Sequence, residues 1–311
     1  MSVIIQVNHL SKHYKELKAV NDISFTVNQG DVYGFLGQNG AGKSTTIRML
    51  LTLIEPTNGH IELFGMDLKK HRKDILRQIG AVIERPDLYK YLTAYENLSL
   101  FARMSGVKVN RQKLMAQLEQ VGLQERAQSK VKTFSQGMKQ RLGIAVALVH
   151  DPQLIILDEP TNGLDPQGIA DIRNLILLLS KHQGKTILVS SHLLHEIEMT
   201  ANRMIIIDKG RKIAEGSVKE LFDPSKMLIQ VSFTNAAQVA AQLQNSRWKD
   251  YIKTQEQNDI VFQMNEQQVP ALTADLVNMG AAITALQPKH SLEAYFLALT
   301  TANRHVDTFT N

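Results

Sequence analysis

The segment from residue 37 to residue 44 constrains this chain more than any other feature of its sequence. It reads Gly-Gln-Asn-Gly-Ala-Gly-Lys-Ser, follows an apolar run from Val32 to Leu36, and precedes a predicted helix from Ser44 to Leu53. A glycine-rich turn between a strand and a helix can point its N–H groups at phosphate oxygens, and the helix dipole adds positive charge there. The spacing G-x-x-x-x-G-K-S therefore predicts a phosphate-binding loop. The predicted nucleotide-binding residues are Gly37, Asn39, Gly40, Ala41, Gly42, Lys43, Ser44 and Thr45.

Two carboxylates follow a second apolar strand. The strand runs from Leu154 to Leu157, and Asp158 and Glu159 come directly after it. Because ligands bind at the carboxyl edge of a parallel sheet, we expect this pair near the phosphate-binding loop. We predict that Lys43 contacts the β- and γ-phosphates of ATP, that Ser44 and Asp158 hold Mg²⁺, and that Glu159 polarises the attacking water. Two solvated carboxylates before a turn are the alternative.

Strands alternate with helices over most of the chain, which predicts an α/β fold with a parallel sheet. The phosphate-binding loop within it resembles that of a P-loop NTPase domain. A helical insert is expected at about residues 93–150. It begins with the capping box Thr93-x-x-Glu96 and contains a later helix capped by Ser135. The predicted ATPase domain covers residues 1–222.

The composition changes near residues 223–225. Residues 226–311 contain six basic and seven acidic residues, so the positive excess of the chain, +5 overall, lies in its first part. The order of predicted elements in this accessory domain is β-α-β-β-α-β, followed by a helix capped by Ser291. That order predicts a small α+β, ferredoxin-like fold. A regulatory or dimer-supporting role for this domain is a hypothesis.

Composition excludes several classes of protein. The chain has no cysteine, so disulfide and thiolate chemistry are excluded. Its first ten residues lack the features of a signal peptide, and no apolar run is long enough to span a bilayer. The charge of +5 permits an anionic partner such as nucleic acid or a membrane surface, although a mildly basic soluble protein is equally consistent with it.

Further motifs resemble those of the ABC ATPases. The segment from Phe134 to Arg141 resembles the family signature L-S-G-G-Q; Ser135 and Gly137 match, whereas Phe134, Gln136 and Met138 differ. An ordinary helix cap would also explain Ser135. The resemblance implies that the signature contacts ATP held by a second subunit. It further implies three roles: adenine stacking by Tyr14, coupling of the two sites by Asp165, and γ-phosphate contact by His192. A core tyrosine, a plain turn and a structural histidine are the respective alternatives.

Glu84 departs from the family pattern, which has glutamine at this position. A carboxylate is a harder Mg²⁺ ligand than an amide, so Glu84 is a third predicted metal residue. This glutamate and the Ser-Gln-Gly-Met-Lys-Gln-Arg signature together resemble the ATPases of bacitracin-resistance and lantibiotic-immunity exporters. The resemblance covers residues 3 to about 222, and the segment 290–296 is similar to the C-terminal extension of the bacitracin type.

The resemblance implies an ATP-hydrolysing subunit that dimerises on ATP and drives export through a separate transmembrane permease. It also implies a cytoplasmic location on the inner face of the membrane. A soluble ABC-type ATPase acting on the ribosome or on nucleic acid is the alternative, which the charge permits but the single nucleotide-binding domain and the absence of zinc-ligating cysteines disfavour. A catalytically dead binding module conflicts with the presence of Lys43, Asp158, Glu159 and His192.

Overall fold

The strand that precedes the phosphate-binding segment lies inside a six-stranded sheet. A computed structural model describes residues 2–221 and 227–289 and divides the chain into two compact units between Val218 and Lys219. The strands of this sheet, in chain order, are β3 (Val32–Leu36), β6 (Ile79–Ile83), β7 (Leu154–Asp158), β8 (Thr186–Ser191), β9 (Arg203–Asp208) and β10 (Arg211–Ser217). Their order in the sheet is β10-β9-β3-β8-β7-β6, and every pairing is parallel except β9 with β10.

The register of this sheet brings the chemically important strand ends to one edge. Leu36 pairs with Ser191 at the ends of β3 and β8, and Ile83 pairs with Asp158 at the ends of β6 and β7. All residues of β3, β7 and β8 are buried, which explains their continuous apolar character. The parallel α/β prediction is confirmed.

A second, antiparallel sheet contains β1 (Val3–Tyr14), β2 (Leu17–Asn28), β4 (Asn58–Leu63) and β5 (Met66–Asp67). Their order in the sheet is β2-β1-β4-β5. The first two strands are longer than the sequence pattern predicts, and residues 12–14 lie inside β1 rather than between strands. Register irregularities between β1 and β2, including one between Leu10 and Lys12, break the alternation that would have marked the whole strand.

Four helices in the described part of the first unit accompany these sheets: α1 (Lys43–Leu50), α2 (Arg72–Leu76), α6 (Pro166–Gln183) and α7 (Leu194–Thr200). A short helix, α8 (Val218–Leu221), begins at the last residue of this unit. One hydrophobic core joins the two sheets to α1, with Leu10, Phe35 and Ile47 fully buried in it. The helix α1 ends three residues before the predicted Leu53, and Thr52 lies beyond it with a left-handed φ of 57°.

A polar cluster anchors the strand β3. Asp31 accepts hydrogen bonds from Asn202 at 2.9 Å and from Arg203 at 3.0 Å, and the hydroxyl of Tyr33 donates to Glu215 at 2.8 Å. Burial, with a further contribution from the Glu215 carboxylate, raises the pKa of Tyr33, so the phenol remains a hydrogen-bond donor. These contacts connect the start of β3 to its sheet neighbour β9 and to β10, the next strand beyond it.

The helical insert contains α3 (Ala94–Met104), α4 (Arg111–Gln120) and α5 (Gln136–Leu148). The predicted capping box is confirmed: Glu96 N–H donates to the Thr93 hydroxyl at 3.1 Å, and Thr93 N–H donates to the Glu96 carboxylate at 2.7 Å. The Ser135 hydroxyl caps α5 by accepting a hydrogen bond from Met138 N–H at 3.2 Å.

The second unit has the predicted ferredoxin-like topology. Its sheet order is β12-β13-β11-β14, with all neighbours antiparallel, and two helices complete the β-α-β-β-α-β order. The elements are β11 (Met227–Phe233), α9 (Ala236–Leu243), β12 (Ile252–Glu256), β13 (Asp259–Met264), α10 (Val269–Asn278) and β14 (Ile283–Lys289). Trp248 and Phe262 lie in its own hydrophobic core. The helix predicted after Ser291 lies outside the described residues.

Among residues 2–221 and 227–289, no helix combines the length and the apolar character that crossing a membrane requires.

Candidate functional site

The phosphate-binding loop ends at a glycine that no other residue can replace without strain. Gly42 precedes α1 with a φ of 105°, and a Cβ atom there would lie 2.6 Å from the carbonyl oxygen of Ala19. The next residue, Lys43, begins the helix. The loop therefore turns sharply at the N-terminus of α1, where free N–H groups and the helix dipole favour an anion.

This loop opens into a cleft of about 1530 Å³. Its lining combines five basic with three acidic side chains, a balance that suits a polyphosphate. The basic residues are Lys18, Lys43, Arg48, Arg85 and Lys209, and the acidic ones are Glu84, Asp87 and Glu159. The structure places nine of the predicted site residues on this lining: Tyr14, Asn39, Gly40, Gly42, Lys43, Ser44, Thr45, Glu84 and Glu159.

Lys43, Glu159 and His192 form a continuous chain of charged and polar contacts. The Nζ atom of Lys43 lies 3.0 Å from Oε1 of Glu159, and Oε2 of Glu159 lies 2.7 Å from Nδ1 of His192. Lys43 is 4% exposed and Glu159 is 13% exposed. Lys43 also donates to the carbonyl oxygens of Gly37 at 2.7 Å and Gln38 at 3.2 Å. The tertiary fold thus joins three predicted site residues from three separate segments.

Asp158 lies beneath the cleft and is fully buried. Its Oδ1 atom accepts a hydrogen bond from the Ser190 hydroxyl at 2.6 Å, and that hydroxyl accepts one from the N–H of Glu159 at 2.9 Å. The other oxygen, Oδ2, has no hydrogen-bond partner in the part of the chain that the structure describes. Sequence reasoning missed Ser190, although its place at the end of β8, opposite the strand with the carboxylates, was a usable signal.

The donor set fits Mg²⁺. A buried, unpartnered carboxylate oxygen on Asp158 and the hydroxyl of Ser44 on the cleft wall are both hard oxygen ligands. Magnesium at phosphate sites takes only one or two protein carboxylates, with water and phosphate oxygens as its other ligands. That explains why no cluster of three or more His, Cys, Asp or Glu side chains suited to a metal is found among the described residues.

Glu84 is engaged by a residue that the sequence analysis did not single out. Its Oε1 atom lies 2.7 Å from Nη2 of Arg48, with the two side chains 60% and 43% exposed. Glu84 also has a left-handed backbone conformation, with φ of 54°. Arg48 follows Ser44 by four residues on α1, a spacing that puts both on one helix face and could have indicated its place in the cleft.

Tyr14 lies at the edge of the cleft and is 45% exposed, so it is not a core side chain. The Nζ atom of Lys12 lies 5.0 Å from the centre of its ring. A half-exposed aromatic face beside a phosphate-binding loop is available for stacking on a planar base. Its role in adenine binding stays a prediction.

Seven predicted residues are not among the described residues that line this cleft: Gly37, Ala41, Ser135, Gly137, Asp158, Asp165 and His192. Ser135 and Asp165 cap their own helices, with Asp165 accepting a hydrogen bond from Gly168 N–H at 3.0 Å. Gly137 lies near Leu164. The neighbouring residues Gln136, Asn162 and Gly163 do reach the cleft, and sequence reasoning missed them.

Comparison with known proteins gives a consistent result. A family model described as "ABC transporter" matches residues 20–162. The chain is 52% identical over 215 residues to the bacitracin transport ATP-binding protein BcrA of Bacillus licheniformis, covering 69% of this chain and 70% of that protein. It is 37% identical to BcrA of Enterococcus faecalis over 300 residues, 96% of this chain and 97% of the relative. The lantibiotic transport ATP-binding protein SrtF of Streptococcus pyogenes is 42% identical over 212 residues, 68% of this chain and 90% of SrtF.

Solved structures show the same fold. The cbiO1 protein of Clostridium perfringens, described as part of the transporter complex cbiONQ, superposes with a TM-score of 0.66 at 28% identity, covering 71% of this chain and 91% of its own. A dimeric ATP-binding cassette, MJ0796, in a post-hydrolysis state with ADP and Pi superposes with a TM-score of 0.63 at 26% identity, covering 69% of this chain and 99% of the cassette.

Proposed function

This chain belongs to the ABC transporter family as an ATP-binding subunit, and from that premise we propose that it hydrolyses ATP as a homodimer to drive export through a separate transmembrane permease. ATP hydrolysis is the activity of its family. The observation that carries the proposal is the series of contacts from Lys43 to Glu159 to His192, of which Lys43 and Glu159 line the cleft.

Each of the three residues Lys43, Glu159 and His192 has a distinct role in the proposal. Lys43 binds the β- and γ-phosphates, because its ammonium group lies against the phosphate-binding loop, beside the carbonyl oxygens of Gly37 and Gln38. Glu159 takes a proton from the attacking water as general base. His192 holds Oε2 of Glu159, the carboxylate oxygen that does not face Lys43, and contacts the γ-phosphate. The left-handed φ of 49° at Glu159 turns its side chain from the strand end into this position.

Ser44 and Asp158 would hold Mg²⁺, and we retain Glu84 as a proposed third ligand. The bound ion would neutralise phosphate charge during hydrolysis. The Ser190 hydroxyl donates to one oxygen of Asp158 and accepts from the N–H of Glu159. It thereby holds the Asp158 carboxylate and the Glu159 backbone in fixed orientations.

The signature residues support the proposed homodimer. The resemblance to the ABC ATPases implies that Ser135, Gly137 and Asp165 meet ATP bound to a second copy, and their absence from the lining of their own cleft is consistent with this. The free N–H groups at the start of α5 suit a phosphate. That a related cassette at 26% identity is described as dimeric adds support.

The permease is proposed to bind the segment 84–95, at the cytoplasmic face of the membrane. Tyr89 and Tyr91 in this segment are 51% and 80% exposed, and large exposed aromatic side chains are typical of interfaces. The relatives named for bacitracin and lantibiotic transport support peptide antibiotics as the class of cargo. The comparisons give no support to the alternative of an ATPase acting on the ribosome or on nucleic acid.

The experiment is a pull-down of the tagged protein from its native membrane in mild detergent, followed by mass spectrometry. We expect a polytopic membrane protein in stoichiometric amount, lost when Tyr91 is changed to Ala. Met104→Ala is the matched control, because Met104 is 66% exposed but lies at the end of α3, outside the proposed segment. Recovery of ribosomal proteins or nucleic acid in place of a membrane protein would overturn the proposal.

A further inference from the structure

Glu196 connects two loops that flank the proposed catalytic site. It lies in the first turn of α7, four residues after His192. Its Oε2 atom accepts a hydrogen bond from the Ser191 hydroxyl at 3.0 Å, and the same atom accepts a second bond from the Thr161 hydroxyl. Thr161 follows Glu159 by two residues. One carboxylate oxygen therefore joins the loop after β7 to the loop after β8.

The first of these contacts fixes the backbone around His192. The Ser191 hydroxyl also accepts a hydrogen bond from Leu193 N–H at 3.0 Å, so the residues on both sides of the histidine are held by one serine side chain. The carbonyl oxygen of Ser191 accepts a hydrogen bond from Gly37 N–H at 3.3 Å. Ser191 is therefore also bonded to the first residue of the phosphate-binding loop. Ser191 is 1% exposed.

The second contact fixes the loop that leads from Glu159 to Asp165. Leu164 N–H donates to the carbonyl oxygen of Thr161 at 3.2 Å, and Asn162 N–H donates to that of Glu159 at 3.1 Å. The segment is thus a short hydrogen-bonded turn, and Thr161 is its attachment to α7. A displacement of this turn pulls on Glu196 and, through Ser191, on His192.

We propose that Glu196 is a positioning residue that sets the contact between Glu159 and His192 by tying their two loops together. This role rests on the proposed functions of those two residues in ATP hydrolysis. Because both hydroxyls donate to a single oxygen, the requirement is for one correctly placed acceptor and not for a negative charge. A glutamine at this position supplies the same acceptor through its amide oxygen, whereas alanine supplies none.

The test compares Glu196→Ala with Glu196→Gln in the full chain. We expect kcat for ATP hydrolysis to fall about 10- to 100-fold in the alanine variant, since a displacement of about 1 Å in a catalytic group costs on this scale. The dissociation constant of a fluorescent ATP analogue should change less than about threefold, because the phosphate-binding loop retains its own contacts. Glu196→Gln should keep at least about a third of kcat, since the acceptor is restored.

A second variant covers the case in which Glu196→Ala does not fold. Thr161→Val removes one donor without changing shape and should lower kcat about 3- to 10-fold, as expected when one of two tethers is lost. Met199→Ala, a change of an exposed residue on the same helix, is the control and should have no effect.

Three results would overturn the inference: equal losses of kcat in the alanine and glutamine variants, a kcat of Glu196→Ala within about twofold of wild type, or an unchanged kcat in Thr161→Val. Failure of the underlying function is recognised separately, because then the wild-type protein would not hydrolyse ATP or Glu159→Gln would leave its turnover intact.

Discussion

The carboxylate of Glu159 has two proposed effects: it is the general base, and it competes with ATP phosphates for Lys43. Replacing Glu159 with Gln separates these effects. Its Oε1 atom is 3.0 Å from Lys43 Nζ, the atom that we propose also holds ATP phosphates. Two acceptors around one tetrahedral ammonium lie about 5 Å apart. At that distance a pair of unit charges repels by about 0.8 kcal/mol in bulk water and by about 3 kcal/mol at an effective dielectric constant of 20.

The substitution should therefore strengthen ATP binding while it stops hydrolysis. Loss of the negative charge at residue 159 should make the free energy of ATP binding more favourable by about 1–3 kcal/mol, which corresponds to an affinity about 5- to 150-fold higher. Glutamine keeps an oxygen beside His192 and approximately the same volume, so we expect the melting temperature to change little. Loss of the general base should lower kcat by about 10²- to 10⁴-fold.

Binding is best measured with a fluorescent ATP analogue in the presence of EDTA, because a divalent cation would screen the repulsion. Turnover and size-exclusion chromatography are then carried out with Mg-ATP, where the variant should elute as a stable dimer. Glu119→Gln changes the net charge by the same amount at an exposed position on α4 and serves as the control.

Two results would refute this reasoning. Weaker binding of ATP by Glu159→Gln in EDTA would mean that the carboxylate does not compete with the phosphates for Lys43. Turnover above about a tenth of the wild-type value would mean that Glu159 is not the general base. A variant that stays monomeric with Mg-ATP would count against the homodimer with two shared sites.

Three further changes test other parts of the structure. Glu84→Gln removes the exposed ion pair with Arg48, so the free energy of unfolding measured in urea should fall by less than about 1 kcal/mol. ATP binding should persist, and turnover or its Mg²⁺ dependence should change. Unaltered turnover at every Mg²⁺ concentration would mean that Glu84 has no part in hydrolysis. Tyr14→Ala should weaken ATP binding by about 1–3 kcal/mol in a competition assay and leave binding of inorganic triphosphate unchanged, because only ATP has a base to stack on the ring. Thr93→Ala breaks the capping box with Glu96 and should lower the free energy of unfolding, measured in urea, by about 1 kcal/mol. The ATP affinity of the isolated subunit should be unchanged.

The parts of the molecule that the sequence determined are those whose interactions are local. The phosphate-binding loop was predictable because eight consecutive residues supply the turn, the free N–H groups and the helix start. The capping box of α3 was predictable because Thr93 and Glu96 are only three residues apart. The ferredoxin-like order of the second unit followed from the succession of its elements, since few arrangements of four strands and two helices satisfy short, right-handed connections.

The parts that only the tertiary structure decided depend on residues far apart in the chain. Lys43 meets Glu159 across 116 residues, because the register of β3, β8 and β7 brings those strand ends to one edge of the sheet. Arg48 meets Glu84 across 36 residues, and Glu196 meets Thr161 across 35. No short pattern encodes these pairings: the sequence motifs indicated Lys43 and Glu159 separately, and nothing near Arg48, Thr161 or Glu196 in the chain indicates the partner of each. Strand register and burial select the partner, and with it the function that we propose for each residue.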